Sequence, residues 1–358
     1  MNTVASTRES VATSAKAPVA YQRIATEEAF TTAEVIARYR KIMADGSIDD
    51  PGFMRLWNLI FSERRRATKL VERLQDLGSL RIQDMDDTGI SKQVLSLTSP
   101  GVQVFDAPTA RALAAASNDE LAEAVRKYPQ RFAGLTAIAP QDPTSAAKEI
   151  ERGVKKLGFK GVIVNSHTRG EYLDDPKFWE ILEAAAALKA PIYLHPSPPP
   201  ASMVGPFLSR GLDGATYGFA VETGLHILRI IVSGAFDRFP GLTFVIGHLG
   251  EAIPYWFFRF DFMHGRMVAD ERYEGAKKLE RKPSEYFKEN IYITTSGMAW
   301  EPAILFAQRV MGVDRVLYAM DYPYQFVPEE VRVTDELPIS DIDKKKLYQL
   351  NAERVFSL

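Results

Sequence analysis

The chain of 358 residues contains no cysteine. That absence removes disulfides, thiolate nucleophiles and thiolate metal ligands together, and it suits a reducing compartment, so a cytoplasmic location is expected. Long apolar runs are missing as well, since no stretch approaches the roughly 20 residues a membrane-spanning helix needs. Neither sign of charge dominates. With 44 basic and 46 acidic residues the formal net charge is −2, which argues against nucleic acid or an anionic membrane as the main partner. No glycine-rich phosphate turn follows an early strand, as a doubly wound dinucleotide fold would require. Histidine is scarce, five in the whole chain, so the position of each one is informative.

What remains is globular in character, with 46% apolar and 25% charged residues. Residues 1–20 are rich in Ser, Thr and Ala and lack a long apolar segment. They are expected to form a disordered tail, an organelle transit peptide being the other reading. Beyond them, eight short apolar runs alternate with helical patterns: Ile24 to Glu27, Gln93 to Thr98, Phe132 to Ala139, Gly161 to Asn165, Pro191 to His195, Leu242 to His248, Ile291 to Ser296 and Val316 to Asp321. Most are β-branched and continuous, as in parallel strands buried on both faces. Between them, Asp175-Pro176 signals a helix start, Ser117 to Tyr128 reads as a helix, and Ser145 to Leu157 reads as one ending at Gly158. Eight strands in this rhythm imply an α/β fold, a closed (β/α)8 TIM barrel forming a single domain over 21–358 with a C-terminal helix, Asp341 to Phe356. Insertions after strands 1 and 5, Thr31 to about Ile82 and Pro196 to about Tyr217, lie in loops that belong to the catalytic face of a barrel and are expected to wall a pocket.

Chemistry-bearing residues stand where these runs end. Glu27, His195, His248 and Asp321 close the first, fifth, sixth and eighth, the layout of a site at a barrel mouth. Glu27, His195 and Asp321 offer carboxylate oxygens and an imidazole nitrogen, a set suited to a divalent metal with open positions. Its oxygen content leans towards Mn2+, while affinity order leans towards Zn2+. Each has a plainer reading: Glu28 can be the carboxylate that matters, His195 a core histidine, Asp321 a turn former before Tyr322-Pro323. Glu251, three residues after His248, can hydrogen-bond to it and raise its basicity, or cap the next helix. Arg259, in an aromatic helix, can clamp a carboxylate or form a structural ion pair. The cluster Arg64, Arg65, Arg66 can reach an acidic substrate or form a solvated face. His167 suits the rim; His226 and His264 suit helix packing.

The strand-end order, TEEAF after the first strand, GHLGE after the sixth, AMDYP after the eighth and the closing NAERVF helix resemble the amidohydrolase-2 branch of the amidohydrolase superfamily. The likeness covers nearly all of Arg23 to Leu358, and it points to the metal-dependent, non-oxidative aromatic acid decarboxylases. Hydrolytic relatives carry His-x-His after the first strand, where this chain has Glu27 and Ala29. The Glu-x-Ala form is similar to the 5-carboxyvanillate type, which serves the catabolism of lignin-derived aromatic acids. The resemblance implies metal ligation by Glu27, His195 and Asp321, with Mn2+ the ion. It implies chelation of the substrate's phenolate and neighbouring carboxylate, and protonation of the ring carbon by Asp321. His248 with Glu251 would assist, and Arg259 and an arginine such as Arg65 would hold the rest of a small aromatic carboxylate. A homo-oligomer is implied too. The competing readings are a metal-dependent hydrolase of a lactone or related ring, and a non-catalytic barrel.

Overall fold

The computed structural model describes residues 21–62, 65–271 and 273–358, with the side chains of 65–67 excepted. The expected tail over 1–20 lies outside the described residues. So do Arg64 and the side chains of Arg65 and Arg66, and with them the contact expected between this cluster and a substrate; the helix Arg65–Gln75 begins there.

Among the described residues nine strands follow in chain order: β1 (Ile24–Phe30), β2 (Lys92–Leu97), β3 (Phe132–Gly134), β4 (Thr136–Ala137), β5 (Val162–Val164), β6 (Ile192–Leu194), β7 (Phe244–Ile246), β8 (Ile291–Thr294) and β9 (Val316–Leu317). All pair in parallel, as β1-β2-β3 and β4 through β9. β3 and β4 are two halves of one expected strand, parted at Leu135, whose amide donates to Leu95 O at 2.9 Å and keeps the sheet joined. The ends meet as well: Thr26 N–H donates to Tyr318 O at 3.2 Å, and Ala29 N–H to Tyr322 O at 2.7 Å. The result is the (β/α)8 TIM barrel that the eight apolar runs imply.

The strands are buried along their length, which is why they read as unbroken apolar runs rather than alternating ones. Val162, Ile192, Leu194, Phe244 and Ile246 are fully enclosed, each contributing roughly 1.5–3 kcal/mol by leaving water. The helices depart from expectation in four places, the first being the one expected over Ser145 to Leu157, which spans Pro143–Lys155 and is capped at Lys156, short of Gly158. The helix expected from Ser117 starts much earlier: it spans Ala107–Lys127, with Asp106 accepting the Thr109 amide and a proline in the first turn. The Asp175-Pro176 start opens a short 3-10 turn before the helix Trp179–Ala187. The terminal helix is interrupted by a π turn over Lys346–Leu350.

Both insertions fold over the mouth. The first forms the helices Ala33–Asp45, Pro51–Ile60, Arg65–Gln75 and Ser79–Thr88; the second forms the helix Ala201–Leu208. Arg55 links them, reaching Leu208 O at 3.1 Å and Asp213 at 3.3 Å. Between them opens a cavity of about 460 Å³, lined by Asp50, Phe53, Gln103, His167, Ser197 and Ser202, among others.

Candidate active site

β1 does not stop at Glu27 as expected but runs on to Phe30. Ala25 pairs with Gln93 and Glu28 with Leu95, so β1 takes three steps where β2 takes two. Such a bulge re-aims side chains. Here the two adjacent glutamates part company. Both are buried; Glu27 joins the side chains of β6 and β8, whereas Glu28 reaches the backbone beyond β9.

Glu27 Oε2 accepts from the hydroxyls of Tyr193 in β6 and of Thr294 in β8, the latter at 2.8 Å. Its other oxygen, Oε1, is buried and has no hydrogen-bond partner. Two imidazole nitrogens face it: His195 Nε2 at 3.7 Å and His248 Nε2 at 3.9 Å. The His195 tautomer follows from its neighbour. Nδ1 lies 2.9 Å from Pro196 O, and since a carbonyl only accepts, Nδ1 carries the hydrogen. Burial lowers the His195 pKa, against the pull of Glu27 and with the push of His248, so the ring is neutral and Nε2 presents a lone pair. A carboxylate lone pair and an imidazole lone pair thus face each other inside the barrel, a contact that a cation between them would relieve.

This is the observation that tests a metal. Among the described residues no three His, Asp or Glu side chains are already drawn in closely enough to hold an ion. Two ligand atoms about 2.1 Å from one ion sit roughly 3.0–3.4 Å apart, so a shift of a few tenths of an ångström closes the 3.7 Å gap. The His195 hydrogen bond to a carbonyl is also the orienting contact that ligating histidines have. The residues fit the group.

His248 opens an unusual turn. His248, Leu249, Gly250, Glu251 and Ala252 all have positive φ, from 50° to 80°. Left-handed backbone costs a non-glycine residue about 1–2 kcal/mol, and the turn brings Glu251 back onto His248: Nδ1 donates to Oε1 at 2.7 Å. Glu251 therefore partners the histidine rather than capping a helix. Burial lowers the His248 pKa, but Glu251, Glu27 and Asp321 outweigh it and carry it to about 10. A divalent cation beside the ring would reverse that balance. Glu251 is itself pushed up by burial, with His248 pulling it back.

Asp321 sits in the loop after β9 with φ 70°. Some of its surface remains open at the mouth, yet its carboxyl lies deep enough that burial raises its pKa well above the carboxylate range; His248 opposes this and Glu27 and Glu28 add to it. Its carboxyl thus stands within electrostatic reach of the histidine and the glutamate. Glu28 is not the inward carboxylate. Its oxygens accept the amides of Met320 at 3.0 Å and Tyr322 at 3.1 Å, and burial, countered by these donors and Arg81, carries its pKa to about 7.

The structure thus gathers Glu27, His195, His248, Glu251 and Asp321. Arg259 is not among them: it is exposed, on the helix Phe257–Ala269, and lines an apolar groove with Tyr217, Val221 and Trp256. His167 lies in the wall of the cavity, its Nδ1 accepting from Gly170 N–H and its Nε2 donating to Pro198 O. His226 is a packing residue, with Nε2 accepting the Leu173 amide at 3.0 Å. Tyr193 and Thr294 were legible only in part: Tyr193 stands two before His195, and alternate strand residues share a face.

Gly247 gives Glu27 its space, because a Cβ there would lie 2.5 Å from both carboxylate oxygens. Gly247→Ala is therefore expected to displace the Glu27 carboxylate and weaken divalent-cation binding at least about tenfold. Calorimetric titration of the folded variant checks this, and unchanged affinity would remove Glu27 from the ion's surroundings.

With the geometry established, likeness to known proteins is informative. The amidohydrolase family model matches residues 55–358. Among solved structures, 5-carboxyvanillate decarboxylase from Novosphingobium aromaticivorans, complexed with manganese and 4-hydroxy-3-methoxy-5-nitrobenzoic acid, is 52% identical with a TM-score of 0.93, covering 94% of this chain and 96% of that one. The 5-carboxyvanillate decarboxylase from Sphingomonas paucimobilis is 40% identical with a TM-score of 0.90, covering 95% and 100%. The γ-resorcylate decarboxylase of a Polaromonas species is 35% identical over 344 residues, 94% of this chain and 98% of that protein. The chain belongs to the amidohydrolase family and is a carboxy-lyase, a non-oxidative decarboxylase of hydroxybenzoic acids.

Proposed function

We propose that the protein converts 5-carboxyvanillate to vanillate and CO2, with Mn2+ as its ion. The observation that supports a metal most directly is the unpartnered Glu27 Oε1 facing the His195 Nε2 lone pair. Likeness at 52% identity to a 5-carboxyvanillate decarboxylase crystallised with manganese supports the substrate and the ion. Glu27, His195 and Asp321 would hold the ion. When bound, it supplies positive charge that stabilises a phenolate and steadies the neighbouring carboxylate.

The chain's own residues do the rest. His248, backed by Glu251, takes the phenol's proton once the ion's charge has lowered its pKa, and returns it to the phenolate after CO2 has left. In between, the phenolate pushes electron density onto the ring carbon that bears the carboxylate. Asp321, whose pKa burial raises, gives its proton to that carbon. The carbon–carbon bond then breaks, its electron pair returns to the ring, CO2 leaves, and Asp321 remains as carboxylate until solvent reprotonates it. The turns after β7 and β9 hold these groups in place, so positioning and preorganised charge supply the rate. Arg259, exposed in its apolar groove, would reach the ring's second acidic group only across the face of a neighbouring copy, and an arginine of 64–66 would share that task.

We also propose a homo-oligomer, assembled through the aromatic face that carries Arg259. Tyr255, Phe258 and Phe262 are 76%, 84% and 56% exposed, and Tyr255 touches Phe306 while Phe258 stacks on Phe262. An exposed patch of this kind marks an association surface.

Four outcomes are expected. Chelator-treated protein should leave 5-carboxyvanillate unchanged by ultraviolet progress curve, and restored Mn2+ should convert it to vanillate; no conversion with the ion bound would refute the substrate. Asp321→Asn should lower kcat by about 10²–10⁴-fold, as loss of a proton donor does, while Arg259→Leu should raise KM more than it lowers kcat. Steady-state kinetics on the folded variants separate the two roles. Light scattering should find a dimer or larger, with Phe258→Asp shifting it towards monomer; a monomeric wild type would remove the second copy.

A further inference from the structure

The sequence offers two glutamates, Glu27 and Glu28, and the function described above uses only the first. Glu28 is fully buried, and burial of a carboxylate is costly unless its oxygens are satisfied. They are satisfied by one short segment. Oε1 accepts the Met320 amide at 3.0 Å and Oε2 the Tyr322 amide at 3.1 Å. These are the residues on either side of Asp321.

The bracket has further supports. Ala29 N–H donates to Tyr322 O at 2.7 Å, so consecutive residues of β1 grip Tyr322 through both its amide and its carbonyl. The Tyr322 hydroxyl donates to Asp84 at 2.8 Å, and the buried Arg81 guanidinium lies 4.6 Å from the centre of its ring while donating to Ala29 O at 2.7 Å. Asp321 between these anchors holds φ 70°, a conformation that side-chain-bearing residues leave unless the surroundings impose another. β9 ends at Leu317, so strand pairing does not hold Met320 or Tyr322; the Glu28 carboxylate takes the place of the missing ladder.

We propose that Glu28 is the positioning residue of Asp321: by taking the amides on both sides of it, the carboxylate fixes a left-handed backbone and so sets where the Asp321 carboxyl stands relative to His248 and Glu27. This rests on the decarboxylase reading for its kinetic consequence, though the backbone clamp itself does not. Two neighbouring acids then divide one task. Glu27 supplies a group to the site directly, and Glu28 supplies the geometry of the acid opposite.

Glu28→Gln tests this with little change of volume, since the amide nitrogen cannot accept an N–H. We expect kcat to fall about 10–100-fold with KM little changed, the size of effect a misplacement near 1 Å produces. Two readouts do not need turnover. Hydrogen exchange should speed up over 318–325 while staying unchanged over 92–97, and Mn2+ affinity should fall. A purely structural role predicts a lower Tm with kcat of the folded variant intact, and that result overturns the proposal, as does unchanged exchange over 318–325. Glu28→Asp, which keeps the charge but is one carbon too short to span both amides, should behave like Glu28→Gln; full activity in it also overturns the proposal. If neither variant folds, Glu28 belongs to barrel closure and the positioning role is lost. Should the wild type turn over no hydroxybenzoate, the decarboxylase reading fails, and exchange and Mn2+ affinity still decide the clamp.

Discussion

Two adjacent carboxylates on the first strand, turned to different tasks, are the constraint on which the rest of this site depends. A strand sends neighbouring side chains to opposite sides, and the bulge in β1 sets the pair so that Glu27 meets the histidines while Glu28 meets the backbone after β9. One β-strand therefore closes the barrel, offers an inward oxygen and brackets Asp321. The groups are not independent: the register that places Glu27 also places Glu28.

The site keeps costs that a purely structural core would have shed. A buried carboxylate oxygen without a partner, a neutral histidine aimed at it, and five successive residues with positive φ each oppose folding. All three lie within the same few side chains. They are tolerated because the surrounding strands are fully buried and tightly paired, which leaves the site no cheaper arrangement. A cation between them would relieve the first two, so its contributions to stability and to chemistry would come from the same unbalanced charge.

The insertions supply what the barrel lacks. Barrel strands alone present an open mouth; here the helices of the two long loops meet through Arg55 and enclose a polar cavity with Gln103 and His167. Rigidity comes from hydrogen bonds rather than from covalent links, as a chain without cysteine requires. His167 ties the loop after β5 to the one after β6, and His226 ties Leu173 to the helix behind it. Two of the five histidines thus hold the walls, and two others face Glu27.

Much of this could be read without coordinates. Eight unbroken apolar runs specify a parallel barrel because strands covered on both faces have no polar side to show. Residues closing those runs lie at the mouth because every parallel strand ends there, and that placed Glu27, His195, His248 and Asp321. The spacing of His248 and Glu251 suggested a pair, and TEEAF, GHLGE and AMDYP pointed to the family. The sequence could not say which of Glu27 and Glu28 faces inward, because a one-residue bulge reverses the answer and leaves no trace in composition. Nor could it show that Arg259 is exposed in an apolar groove, since a helix face is chosen by packing. The left-handed turn at His248, the Tyr193 and Thr294 hydroxyls on Glu27, and the grip of Glu28 on the chain around Asp321 join residues up to 294 positions apart. Contacts of that range exist only once the barrel closes, which is why local sequence determined the elements and their chemistry, and tertiary structure alone decided what each acid does.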